Sequence, residues 1–406
     1  MRMGSTWARI AGLATIAAVA VLWILAALYL WRTTVPSNLH LGGLDAHRYF
    51  TARQISKASS YETFVRWDWV LATLASLTAL AVIAWRAPRI VRGIGIGRIG
   101  KGVIVGTVTL VAAWFASVPF TLAAWWWDRR HGLVKGNVFA WFAPQLPTLA
   151  SGAAFSALAI LIVMGLAGRF PRRWWIGAAP VFTALALLFT FIGPYLNFGT
   201  HAIHRPRLRA AAVQLARREG VPGVPVRVDD VSSFTTEANA ESTGLGPSRR
   251  VVLWNTILQP PFTYAEDKVV IAHELTHQAR HHLWKGVAWF GLLALPGTFL
   301  IALITRRRGG LRDPGTVPLA LLVIALLQLG SLPFVNAVSR RYEAEADWGA
   351  LRTTHNPAAA RSLFRKFSTT SLQEPDPPFW DYVLLENHPT IAQRIQMANA
   401  WTPRNR

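Results

Sequence analysis

The chain contains no cysteine among its 406 residues, which removes disulfides and thiolate metal ligands and leaves its redox compartment open. Lysine is scarce too, confined to positions 57, 101, 135, 268, 285 and 366, so arginine carries most of the positive charge, a composition that fits a G+C-rich bacterial genome. Acidic residues are few: 20 Asp and Glu stand against 42 Lys and Arg, a formal net charge of +22. In a water-soluble protein that surplus would suggest nucleic acid. Here the basic residues flank long apolar runs, which points instead to loops beside anionic lipid headgroups and to no nucleic-acid partner.

Those runs dominate what is present. Hydrophobic residues make up 52% of the chain and its mean hydropathy is positive, as expected of a polytopic membrane protein. Seven segments are long and apolar enough to span a bilayer: 10–31, 69–85, 103–127, 149–167, 174–196, 287–304 and 317–338. The first is flanked by Arg2 and Arg9, is too long for a signal-peptide core and has no clear cleavage site, so it reads as an uncleaved span. The first five contain no Asp or Glu, which argues against a proton pump or ion-coupled transporter. A polar loop is expected over 32–66. The glycine-rich connector at 93–102 lacks the spacing and Lys-Ser/Thr ending of a phosphate loop.

One stretch carries chemistry. His273-Glu274-Leu275-Thr276-His277 lies in a segment, 265–283, with neither glycine nor proline, so one continuous helix is expected there. Residues four apart share a helix face, so His273 and His277 can offer two imidazole nitrogens to one Zn²⁺. Glu274 lies about 100° further round, where it can reach a water beside the metal and act as general base. The apolar run 269–272 would bury the opposite face. A metzincin would need Gly at Arg280 and His at Leu283, so that class is excluded. Site-2-type intramembrane proteases use an Asp from a Leu-Asp-Gly motif, which is also absent.

A third ligand must come from elsewhere in the chain. Downstream, Glu343 and Asp347 stand at i, i+4, with Glu345 pointing away from their face. Glu343 can complete the metal site while Asp347, one turn on, accepts a His N–H. Between 197 and 284 the composition turns water-soluble, with a helix over 205–219 and strands over 224–228, 235–245 and 250–254. In the tail a helix over 358–370 has Asn356 as N-cap and Pro357 at its first position, and His388-Pro389 opens a last short helix.

These blocks together resemble the membrane zinc proteases that include CAAX prenyl protease 1 and the HtpX proteases. The resemblance rests on HELTH, on SRRYEAEAD around Glu343, on HPTIAQR from His388 to Arg394, and on Asn239-Ala240-Glu241 followed by RVVLWNTIL; it covers roughly residues 194–400. It implies that His388 stabilises the oxyanion, that Arg394 braces the site, and that Asn239, Ala240 and Glu241 form an edge strand holding substrate. It also implies a cytoplasmic active site and a chamber admitting membrane-tethered or lipidated peptides. Short-loop charge gives no orientation of its own, because 86–101 and 306–312 fall opposite the zinc domain.

The expected protein is therefore mostly α: seven transmembrane helices with a small α+β zinc-protease domain. The N-terminal membrane domain is 1–196. The peptidase domain comes in two parts, 197–283 and 339–406, separated by the last two spans within 284–338. One Zn²⁺ per chain, a peptide or protein substrate and the lipid bilayer are the expected partners, in a bacterial inner membrane.

Overall fold

A computed structural model describes residues 2–402 apart from 38, 40, 42, 43, 144 and 198, and leaves out the side chains of 2–11 and 16. The flanking Arg2 and Arg9 side chains thus lie outside the described residues. In the first half of the chain, α1 (Arg2–Trp31), α2 (Ala52–Ile90), α3 (Arg98–Arg130), the short α4 (Val138–Phe142), α5 (Gln145–Arg169) and α6 (Trp174–Leu196) follow one another. β1 (His201–Ala202), α7 (Pro206–Arg218), β2 (Val226–Asp229), β3 (Ala240–Thr243) and β4 (Arg250–Trp254) build the extramembrane part. Then come α8 (Tyr264–Ala279), α9 (His282–Thr305), α10 (Val317–Thr354), α11 (Pro357–Thr370), α12 (Phe379–Leu384) and α13 (Ile391–Ala400). Among the described residues seven helices are long and apolar enough to cross a membrane, and each of the seven expected spans lies on one of them.

Several boundaries differ from the sequence reading, each for a physical reason. The expected loop 32–66 is helical from Ala52, capped by Thr51 and Gln54 in a reciprocal box. Its polar residues have partners that the local pattern does not reveal. Arg66 is buried, donates to Glu374 at 2.5 Å and pairs with Asp381, so it ties α2 to the C-terminal tail. The segment before α2 also packs on the extramembrane core, with Phe50 buried in it and Val35, Leu44 and Tyr49 against it. Helix α12 has no counterpart in the sequence reading; Asn336 and Arg340 of α10 donate to its backbone carbonyls.

The four-stranded sheet has the order β1-β2-β4-β3, with β2 and β4 parallel and β3 antiparallel to β4. β3 is therefore an edge strand. Of the expected strand 235–245 only Ala240–Thr243 joins the sheet, because Thr235 and Thr236 instead bond Leu133 in the turn after α3. The core beneath the sheet is one apolar cluster that draws Leu208 and Leu215 from α7, Val251 and Leu253 from β4, and Ile271 and Leu275 from α8. Trp348 and Leu351 of α10, Leu363 of α11 and Ile395 of α13 complete it.

Helix α10 is the element that joins membrane and site. At 38 residues it is roughly 57 Å long at 1.5 Å per residue. About 20 residues suffice for a hydrocarbon core, so its last turns rise clear of the apolar segment and carry Glu343 and Asp347. It meets α8 where Gly349 faces Thr276: a Cβ on Gly349 would stand 2.4 Å from the threonine Oγ1. Only glycine lets the two helices come this close.

Candidate metal centre and active site

Helix α8 begins at Thr263, which accepts the Glu266 N–H while Glu266 accepts the Thr263 N–H in return. Val269 to Ala272 are buried, which seats one face of α8 in the core and turns the other toward α10. On that other face His273 Nε2 lies 3.1 Å from His277 Nε2 and 3.2 Å from Glu343 Oε2, and His277 Nε2 lies 3.5 Å from Glu343 Oε1. Three donor atoms from two helices thus converge on one point. Four ligands held at about 2.0–2.1 Å around zinc sit roughly 3.3 Å apart, so this nitrogen, nitrogen, oxygen set has the chemistry and the spacing for that ion.

Burial by itself pushes the His273 imidazolium pKa down, but the hydrogen bonds and charges of Asp347 and Glu343 outweigh it and raise the pKa to about 10, so a metal ion binding here has to displace a proton. A second acidic group, Glu62, Asp381 and Glu386, also has ligand spacing, but Arg66 already pairs with Glu62 and Asp381 there.

Around the three donors the remaining residues take distinct places. Asp347 Oδ1 accepts from His273 Nδ1 at 2.9 Å, which directs the other ring nitrogen toward the donor cluster. Arg394 grips the same carboxylate with two N–H groups, at 2.8 Å and 2.7 Å, and lies 4.3 Å from the Phe364 ring. Its hydrogen bonds to the site run through Asp347. His388 Nε2 stands 3.1 Å from Glu343 Oε2, and its Nδ1 is 2.6 Å from Asn387 Oδ1. The sequence reading has His388 open the last helix, but Thr390 caps α13 in a box with Gln393, which leaves the His388 ring to the site.

Glu274, His273, Asp347, His388 and Arg394 line a single cavity with Ala238, Asn239 and Ala240. The edge of β3 is thus brought to the proposed base. Asn239 uses its side-chain oxygen on the Ala240 N–H and its carbonyl on the Trp254 N–H, so it holds the strand's shape. Glu241 is exposed and is not among the cavity's lining residues.

Two features escaped the sequence reading. Helix α8 does not run on to 283; it ends at Ala279, and His281 takes a left-handed backbone with φ 57°. That turn redirects the chain into the membrane as α9 and brings the His282 ring back to His277. Glu345, expected to face away, does leave the donor cluster, but it is buried and hydrogen-bonded to His282.

Comparison with known proteins accords with this geometry. Residues 202–402 match the model of peptidase family M48. The chain is 30% identical over 257 residues to the uncharacterized metalloprotease YhfN of Bacillus subtilis, covering 59% of this chain and 60% of that protein. It is 25% identical over 302 residues to CAAX prenyl protease 1 of Saccharomyces cerevisiae, covering 66% and 65%. The chain thus spans somewhat less than two thirds of the length of both relatives. In fold it is similar to the crystal structure of S. mikatae Ste24p, with a TM-score of 0.70 at 17% identity over 93% of this chain and 96% of that one. Across 202–402, the segment that holds His273, Glu274, His277 and Glu343, this chain thus carries a domain of peptidase family M48.

Proposed function

We propose that the chain is an integral-membrane zinc endopeptidase that hydrolyses peptide bonds in membrane-associated peptides or proteins. The observation that carries the reading is that three zinc-type donors converge beside a cavity which one of them, His273, lines together with Glu274 and a sheet edge. His273, His277 and Glu343 would hold the ion, which supplies Lewis acidity toward a peptide carbonyl and lowers the pKa of water.

The chain's own groups do the rest. The open edge of β3 offers its backbone to an extended peptide as an added strand, which orients the bond to be cut. Glu274 takes the proton from the attacking water and returns it to the leaving amine. His388 donates a hydrogen bond to the oxyanion that develops on the carbonyl, while Asp347 and Arg394 keep His273 in place. Asn239 and Ala240 flank the bound peptide, with Glu241 beyond the cavity. CAAX prenyl protease 1 is named for processing prenylated tails. A bacterial protein is better suited to membrane-tethered or otherwise lipidated peptides and to the turnover of membrane proteins.

Protein purified in detergent is expected to bind about one zinc per chain and to cleave casein or a membrane-derived peptide, with cleavage lost to a chelator and restored by zinc. Zinc-free protein with full activity would end this reading. His388→Ala is expected to lower turnover by about 10²–10³ with zinc retained, the loss typical of one oxyanion donor. Unchanged turnover would show that His388 serves only to shape the loop before α13. We place the active site on the cytoplasmic face of a bacterial inner membrane, following the family resemblance. Reporters inserted near Gly246 and fused after Arg394 should then both read as cytoplasmic, and periplasmic signals from both would invert the assignment.

A further inference from the structure

The two imidazoles of the donor cluster are held differently. His273 leans directly on Asp347, whereas His277 Nδ1 faces a third ring, His282 Nδ1, at 3.0 Å. His282 Nε2 in turn lies 3.0 Å from Glu345 Oε2. The other oxygen of Glu345 accepts from the Thr34 backbone N–H at 2.8 Å and from its hydroxyl at 2.7 Å. The His282 ring lies parallel to that of Tyr342, 4.5 Å away, and the tyrosine hydroxyl donates to the Leu30 carbonyl. His282 and Glu345 are both at most 5% exposed.

Proton placement along this chain has one consistent solution if His277 gives Nε2 to a metal. A neutral imidazole carries one N–H, so His277 must then be protonated at Nδ1. That N–H can be accepted by His282 only at an unprotonated Nδ1, which leaves the His282 proton on Nε2, donated to Glu345. Glu345 receives donors on both oxygens and has no proton to give. Every hydrogen bond thus runs toward one buried carboxylate.

We propose that His282 and Glu345 are positioning residues for the metal: a relay that fixes the tautomer and orientation of His277 and ties the site to the end of the first membrane helix through Thr34. This rests on the reading of His273, His277 and Glu343 as zinc ligands. Each zinc histidine has its own carboxylate, Asp347 directly for His273 and Glu345 through an inserted imidazole for His277. The inserted ring is needed because Glu345 leaves α10 on a different side from Glu343 and Asp347.

The test is the zinc affinity of the full-length protein in detergent, measured by competition with a fluorescent chelator after metal removal, a readout independent of turnover. H282F keeps a ring against Tyr342 but offers no acceptor. H282N loses the ring but puts a side-chain oxygen close to where Nδ1 stood. The relay requires Phe to weaken zinc binding about 10–100-fold and Asn to recover most of that loss. A ring that serves packing alone requires the reverse order, so wild-type affinity in H282F, or an Asn variant weaker than Phe, overturns the proposal. Should H282F fail to fold, E345Q decides the matter: it is expected to lose at least about tenfold in affinity, and an unchanged value overturns the relay. Wild-type protein belongs in the same titration. If it takes up no zinc, the metal reading itself has failed; if it binds normally and H282F matches it, only the relay has.

Discussion

Glu274→Gln is expected to leave folding and zinc content intact while peptide hydrolysis falls by at least the ~10²–10⁴ that general base catalysis contributes. The amide is nearly isosteric with the carboxylate and keeps the helix. Glu274 lies within the cavity beside His273 and is not one of the three converging donors, so the ion has no reason to leave. What the amide lacks is a site that takes a proton from water and carries it to the amine. A zinc-binding sensor or a transporter would be indifferent to the change. Zinc analysis and a cleavage assay on the same preparation therefore separate the readings: wild-type cleavage by the variant refutes the protease, whereas a variant that binds zinc and cuts nothing identifies the base.

The second large effect is expected at the third donor. Glu343→Ala should strip the zinc, because it removes the carboxylate of the cluster and leaves two imidazoles on one helix. The loss in affinity should exceed the ~10–100-fold typical of outer partners such as Asp347, and hydrolysis should fall to background with it. His277→Ala should behave likewise. His388 offers no simple substitute for Glu343: its Nε2 is near the glutamate, but its side chain is 48% exposed at the cavity. Full zinc occupancy after either change, measured by metal analysis of folded protein, would mean that the ligand set is wrong.

The contrast between these residues and those of the relay shows how much could be read before folding. HExxH and the Glu343–Asp347 pair are visible in the sequence because a helix turns at a fixed rate, so spacing alone puts such residues on one face. The seven membrane helices are legible for a related reason: a bilayer of fixed thickness demands long apolar runs. Caps such as Asn356 with Pro357 are equally local, and the structure has both where the residues require them.

What the sequence leaves open is every relation between distant segments. The tertiary fold sets His273 against Glu343 across 70 residues, helped by a glycine at 349 whose role lies in what Thr276 does to a Cβ there. It makes buried partners of Arg66 and Asp381, which read locally as a polar loop and a tail residue. It turns Glu345, off the catalytic face in any helical projection, into the carboxylate behind a histidine, with Thr34 as its donor from 311 residues away. Local periodicity is a property of one helix and is written along the chain. A hydrogen bond between helices depends on where the core lets them cross, and the packing of the whole molecule decides that.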